Sequence, residues 1–411
     1  MRFQRMIRSL LETDLYKFSQ GQMIWHQYPE YTTTWTFRCR NKNVHFSYDM
    51  VDEIKAQIAE FCQLRFTDDE LEYLGKIRWI KPAYVKHLKL WHPNAEDIHV
   101  KYTGDEGCGL EITATGTWLD TSMYEIPILA IVNEVYFRMK YNYESLIKSF
   151  KKLADEKVKC LYGGTFVIGS FSEFGLRRRL SGEAQEYIVE ILKEFGEYAA
   201  AQDWVTRFVG TSNVYLARKY NLMPVGTMAH ESLQCVGQGD PSKNPAYSNR
   251  FMMESWVKEY GVDNGIMLTD CLTTELFLKD FNKTYATLFS GVRHDSGDPI
   301  SWGEAIIRSY ESMCIDPRTK TLLFSDSLNF IKASEIFRYF RDKAKVAFGI
   351  GTYLSNDTEV EPLNIVMKVT QCNGMSVAKI SDEPLKTICT DSEYIEYLKR
   401  SIKWRLEKTM K

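Results

Sequence analysis

The sequence predicts an α/β protein: an irregular or incomplete (β/α)8-like barrel joined to a second, α+β domain built from both chain ends. Three observations predict it. From about residue 164 onward, short apolar runs alternate with helix-like segments, and strand–helix repetition calls for right-handed crossovers and a parallel sheet. The first 122 residues and the last 52 lack that rhythm. Each strand of the alternating part runs into a polar or glycine-rich turn, and in a parallel barrel those turns share one face.

The N-terminal part, 1–122, mixes element types. Residues 32–40 (TTTWTFRCR) form a β-branched strand, 49–65 and 68–78 are helices, and 97–117 make a hairpin around Gly104 to Gly109. The second helix opens on Thr67-Asp68-Asp69-Glu70, a capping-box start. The barrel domain is placed at 123–359, beginning with a helix at about 123–140. Its strands are expected at 166–171, 207–211, 223–228, 265–269, 287–292, 321–324 and 346–350. Helices are expected at 182–201, 245–260, 272–282, 301–312 and 330–340. Seven strands suit an incomplete eight-fold barrel better than two nucleotide-binding halves; a doubly wound sheet is the alternative. Segment 360–411 should complete the N-terminal domain, through a hairpin turning at Asn373-Gly374 and a charged helix over 391–408.

The chain has 411 residues, 44% hydrophobic and 26% charged, with a formal net charge of −2. That is the balance of a globular protein with a sizeable core, and it gives no global attraction to nucleic acid or an anionic membrane. Nine cysteines, scattered from Cys39 to Cys389 without a CxxC pair, speak against a disulfide framework or zinc ribbon and for a reducing cytoplasm. No secretory signal and no membrane-length apolar run is present in the sequence.

The strand ends suggest phosphate chemistry. Arg177, Arg178 and Arg179 place fork-shaped cations after the first barrel strand, suited to bidentate phosphate contacts or, alternatively, forming a solvated run. The turns at Ser325-Asp326-Ser327 and Gly349–Thr352 offer backbone N–H groups of the kind that cradle phosphate. Arg293-His294-Asp295-Ser296-Gly297-Asp298 supplies two carboxylates three apart, able to chelate ribose hydroxyls, to hold Mg²⁺ through water, or to close an Asx turn. His230 follows a strand and is a candidate nucleophile or general base, unless it merely donates to a carbonyl. His294 could serve either way. Asp270 ends the fourth strand.

At these residues the chain resembles a known family. The stretches LETDLYKFSQGQM (11–23), FSEFGLRRRLS (171–181), FVGTSNVYLARKYNLMPVGTMAHE (208–231), FSGVRHDSGDP (289–299), LLFSDSLN (322–329), AFGIGTYLSND (348–357) and PLNIVMKVTQCNGMSVAKISD (362–382) are similar to nicotinate phosphoribosyltransferases, in the same order and spacing. The resemblance implies transfer of the phosphoribosyl group of phosphoribosyl pyrophosphate to nicotinate, with ATP as co-substrate, Mg²⁺ held through substrate phosphates, and His230 as a phosphohistidine. It implies a head-to-tail homodimer with shared sites. Tyr16 of a second subunit and Phe174 would sandwich the pyridine ring. Arg177, Ser212 and Arg293 would face its carboxylate. Arg179, Asp270, Asp295, Asp298, Ser325, Asp326, Gly349, Gly351 and Thr352 would hold ribose and phosphates.

One position bears on the substrate. Nicotinamide-using relatives carry Asp where this chain has Ser212, and Asp repels a carboxylate that serine can donate to. The pyridine nitrogen is already a nucleophile, so catalysis should be positioning and electrostatics around an oxocarbenium-like transition state. The competing readings are the amide-specific enzyme, a non-catalytic phosphosugar sensor, and a barrel aldolase or hydrolase, for which Lys379 is the lysine in a comparable motif.

Overall fold

A computed structural model describes residues 3–382, 389 and 391–408. The strands are β1 (Thr32–Cys39), β2 (Ile98–Tyr102), β3 (Leu110–Thr117), β4 (Ser170–Glu173), β5 (Arg207–Thr211), β6 (Met223–Pro224), β7 (Ile266–Leu268), β8 (Gly291–His294), β9 (Thr321–Phe324), β10 (Lys345–Ile350), β11 (Ile365–Cys372) and β12 (Met375–Ser376). They form two sheets. Seven parallel strands run in the order β6-β5-β4-β10-β9-β8-β7, curled into a half-barrel. Consecutive strands are neighbours, and β4 closes onto β10 by parallel pairing. The seam lies between β6 and β7, which are the two sheet edges. This is the incomplete barrel expected from the sequence.

The second sheet is antiparallel, in the order β12-β11-β1-β3-β2. Its centre is the pairing of β1 with β11, from Thr33 opposite Cys372 to Cys39 opposite Ile365, so the C-terminal segment folds back onto the N-terminal one. The β11–β12 turn has Asn373 at φ 50° and Gly374 at φ 74°, the left-handed pair that a tight hairpin needs.

The helix Trp118–Lys140 runs between the sheets and is buried at every position from Leu119 to Phe137 except Asp120, which is half-buried. It packs on β1, β3 and β11 and on the turn Leu176–Arg178. A helix buried around its whole circumference belongs in the middle of a large core, and its few polar residues, Glu125 among them, are paired there.

Several boundaries differ from the sequence reading. The strand expected at 223–228 is only Met223–Pro224, because Pro224 has no N–H to extend the ladder. Residues 287–288 end a short helix, Lys283–Leu288, capped by Asn282, so β8 starts at Gly291. The first barrel strand shifts from 166–171 to Ser170–Glu173. The helix Leu15–Gln27 was not expected. Lys17, Gln20 and Gln22 are buried along with its apolar residues, so no amphipathic stripe advertises it.

Candidate active site

The barrel-strand ends line a cavity of about 620 Å³, whose other wall comes from the N-terminal segment, the Trp118–Lys140 helix and β11. Phe174, Arg177, Ser212, His230, Arg293, Asp295, Ser325, Asp326, Gly349, Gly351 and Thr352 all line it, as does Tyr16. The face inferred from the sequence is one site.

The residues around Tyr16 and Arg177 form a tight group. Arg177 stands 5.9 Å from the Tyr16 ring centroid. Its Nε lies 3.6 Å from Asp14 and its Nη1 3.5 Å from Glu125. Burial opposes the Arg177 charge, but the facing oxygens of Tyr16, Glu125 and Asp14 outweigh it and hold the guanidinium protonated. Phe174 packs its ring against Gly349, where any Cβ would overlap it, so that glycine admits the aromatic wall. The resemblance implies a tyrosine from a second subunit. Here the chain's own Tyr16 reaches its own pocket, because Leu15 N–H donates to Ser212 O (3.0 Å) and Val214 N–H to Thr13 O (3.1 Å), pinning the N-terminal segment to the β5 turn.

Ser212 needs a correction. Its hydroxyl donates to Asp14 at 2.6 Å rather than presenting a donor to the pocket, so the carboxylate missing from this turn is replaced by one from the N-terminal segment. Burial raises the Asp14 pKa against the pull of Arg177.

In a second group, His230 opens the helix His230–Gln238, whose N-cap Ala229 provides no side-chain cap. Its Nε2 is 2.8 Å from Asp270 Oδ1. A carboxylate only accepts, so Nε2 carries the proton and Nδ1 keeps its lone pair. Burial and the Lys379 ammonium lower the His230 pKa despite Asp270, which favours the neutral ring. Asp270 is therefore a positioning group behind His230, not a phosphoribosyl contact: it is 1% exposed, accepts from Ser296 at 2.6 Å and pairs with Lys379 at 2.8 Å. Arg293 is held on four sides, donating to Ser325, Thr227, the Met228 carbonyl and Asp295. Burial works against Asp295 ionisation, yet Arg293, His230 and Lys379 hold its carboxyl far below the usual range.

Two further expectations fail. Arg179 does not reach the cavity: it is 0% exposed and spends its fork on Glu12, Gln185 and the Met6 carbonyl. Asp298 is exposed and caps the helix Pro299–Ser312 by accepting from Ser301 N–H. His294 packs edge-on against Trp302 and tilted against Phe324, outside the cavity lining.

Arg178 lines the cavity beside Arg177, as expected from the sequence, and three cations that the sequence did not assign to the site, Arg40, Lys368 and Lys379, join it. Burial, with Arg177 and Arg40 nearby, lowers the Arg178 pKa to about 10, and burial lowers Lys368 to about 8. Such depression marks an excess of positive charge waiting for an anion. Lys368 sits on β11, outside the barrel motifs, and the pairing of β11 with β1 and its packing on the Trp118–Lys140 helix place it at the pocket.

His230, Asp270 and Asp295 offer ligand atoms within 4.8 Å of one another. Lys379 already supplies a cation to both carboxylates, so a divalent ion fits better on substrate phosphates than in this cluster. Among the described residues, no helix is long and apolar enough to cross a membrane.

An open barrel whose strand ends combine two aromatic rings, a carboxylate cluster at a histidine, and a lining of arginines and lysines suits a flat ring beside a phosphorylated group. The family model for the nicotinate phosphoribosyltransferase (NAPRTase) family matches residues 169–405, and that for the NAPRTase N-terminal domain matches 11–133. The chain is 43% identical to the nicotinate phosphoribosyltransferase of Cupriavidus necator over 395 residues, covering 96% of this chain and 97% of the relative. It is likewise 43% identical to that of Bordetella petrii, covering 96% and 98%. The crystal structure of nicotinate phosphoribosyltransferase from Vibrio cholerae superposes with a TM-score of 0.88 at 33% identity, covering 100% of this chain and 98% of that one. The one from Porphyromonas gingivalis gives 0.85 at 32% identity, covering 96% and 99%. The chain belongs to the nicotinate phosphoribosyltransferase family.

Proposed function

We propose that the chain makes nicotinate mononucleotide from nicotinate and phosphoribosyl pyrophosphate, for NAD biosynthesis in the cytoplasm, and that ATP drives the step through phosphorylation of His230. The observation that supports the coupling is the tautomer at His230: Asp270 fixes the proton on Nε2, leaving Nδ1 as a nucleophile for a phosphoryl group.

In this reading the pyridine ring lies by Tyr16 and Phe174 with its carboxylate toward Arg177. The ring nitrogen attacks C1 of the ribose as pyrophosphate leaves. Asp295, kept ionised by Arg293, faces the developing positive charge on the sugar. Arg40, Arg178, Lys368 and Lys379 draw the departing pyrophosphate, and Ser325, Asp326, Gly351 and Thr352 hold the 5′-phosphate and ribose. Mg²⁺ would be held through the substrate phosphates, where it would neutralise the departing charge, and Asp326 and Asp295 are the carboxylates of the lining that could help to hold it. Preference for the acid over the amide rests on Arg177 rather than on Ser212. The site holds its own Tyr16, so the head-to-tail homodimer that the resemblance implies would have to complete it by other residues.

The test is product formation from nicotinate or nicotinamide with phosphoribosyl pyrophosphate and Mg²⁺, with and without ATP, for the native chain and His230→Ala. We expect nicotinate turnover, strongly enhanced by ATP, with the enhancement gone in the variant. Turnover of nicotinamide alone would reject the substrate assignment. An undiminished ATP gain in His230→Ala would reject the phosphohistidine.

A further inference from the structure

Lys17 is buried with 0% of its side chain exposed. An ammonium in that position is tolerated only where carboxylates replace its water. Two do so: Glu125 at 2.9 Å and Glu231 at 2.7 Å. Burial alone would lower the Lys17 pKa, and these two carboxylates raise it instead, so the group is a fixed cation.

The two carboxylates lead to opposite sides of the cavity. Glu125 is shared with Arg177, whose Nη1 is 3.5 Å from its other oxygen. Glu231 directly follows His230. Its carboxylate also accepts from Ser122 at 2.6 Å and from Gln20, and these bonds hold the first turn of a helix that has no side-chain cap. Lys17 therefore lies where the pyridine half and the His230 half of the site meet.

We propose that Lys17 is a positioning residue of this reaction, holding Glu125 back from Arg177 so that the guanidinium stays available to the substrate carboxylate, while its bond to Glu231 seats His230. The inference rests on the reading of this pocket as the nicotinate site. Without Lys17, Glu125 keeps the more distant Lys368 and the Arg177 guanidinium 3.5 Å away, and Arg177 is the partner it would close onto. An anionic ring would then compete with a full internal ion pair.

The experiment compares the native chain with Lys17→Met and with two double variants, Lys17→Met/Glu125→Gln and Lys17→Met/Glu231→Gln. Each double variant removes one charge of each sign, so both keep the test alive if the single variant fails to fold. Tm, kcat and the nicotinate KM are measured, and nicotinate binding is followed by calorimetry. Lys17→Met/Glu231→Gln should keep a nicotinate KM raised by about tenfold, the size of one lost charged contact. Lys17→Met/Glu125→Gln should return the KM toward the native value, since the released carboxylate is gone and Asp14 keeps its native place beside Arg177, held by Ser212. A purely structural ion-pair network predicts that both double variants recover alike with Tm, and equal nicotinate KM values in the two would overturn the proposal. If the native chain turns over no nicotinate, the reading of the pocket fails first. The calorimetric comparison of the same variants then decides the Lys17 proposal separately: unequal nicotinate affinity supports it and equal affinity overturns it.

Discussion

Glu173 sits at the end of β4, fully buried, and its partners are neutral donors: Thr211 at 2.6 Å, Gln185 at 3.0 Å and the Gly175 N–H. It ties the turn carrying Phe174 and Arg177 to the turn carrying Ser212. Burial, only partly offset by these donors, raises its pKa from 4.5 to about 7. The unfolded chain loses this proton near 4.5 and the folded chain keeps it to about 7, so the folded state forfeits stability as pH rises through that window and no further above it. Glu173→Gln fixes the neutral form. Between the two ends of the window, the stability of the variant relative to the native chain should improve by on the order of 3 kcal/mol, read from denaturant unfolding at each pH. A difference that stays flat with pH would show that Glu173 does not titrate there. At this scale the sequence was a partial guide. Arg177, His230 and Asp295 were legible because their turns follow apolar runs. Arg179 and Ser212 were misread because no local pattern tells which neighbour takes a donor: Glu12 claims one and Asp14 the other.

Elements were easier to read than their partners. The β–α rhythm located the parallel strands because runs buried on both faces stand out as continuous apolar stretches. The Leu15–Gln27 helix was hidden because polar side chains on its buried face are paired with distant carboxylates that no window contains. The β10 strand shows how an element shapes chemistry without touching it. Gly349 presents bare backbone to Phe174, and a methyl group there would meet the ring. Gly349→Ala should push the ring into the cavity and raise the nicotinate KM, while the strand, paired on both sides by β4 and β9, keeps its place. The expected result is a change in KM of about tenfold or more with Tm lowered only a few degrees, in line with overpacking costs of about 1–3 kcal/mol. An unchanged KM would mean that Phe174 does not form a wall of the ring site.

For the molecule as a whole, segments near both ends of the chain serve the site. The helix Ser392–Lys408 lies far in sequence from the pocket, yet it covers a satellite core of Leu272, Leu276, Ala378 and Ile380 with its own Leu398 and Ile402. Arg405 clamps it to Asp280 at 2.7 Å and to the Ala246 carbonyl at 2.6 Å. Ala378 and Ile380 flank Lys379, and Gln238 and Cys271 bond their backbone groups from the barrel side. Lys379 thus reaches Asp270 from a segment clasped between barrel and terminal helix. The sequence indicated that the C-terminus folds back, but not that it seats a cation of the site, because that depends on tertiary packing alone. Leu398 is 0% exposed, and Leu398→Ala should cost about 2–5 kcal/mol. If the helix is a brace for Lys379, turnover per folded molecule should also fall, measured well below the variant's Tm, whereas Lys403→Ala, on the same helix with a side chain 78% exposed, should leave both quantities near native. A Leu398→Ala chain that loses stability but keeps native turnover would show that Lys379 is seated by the barrel side without the helix.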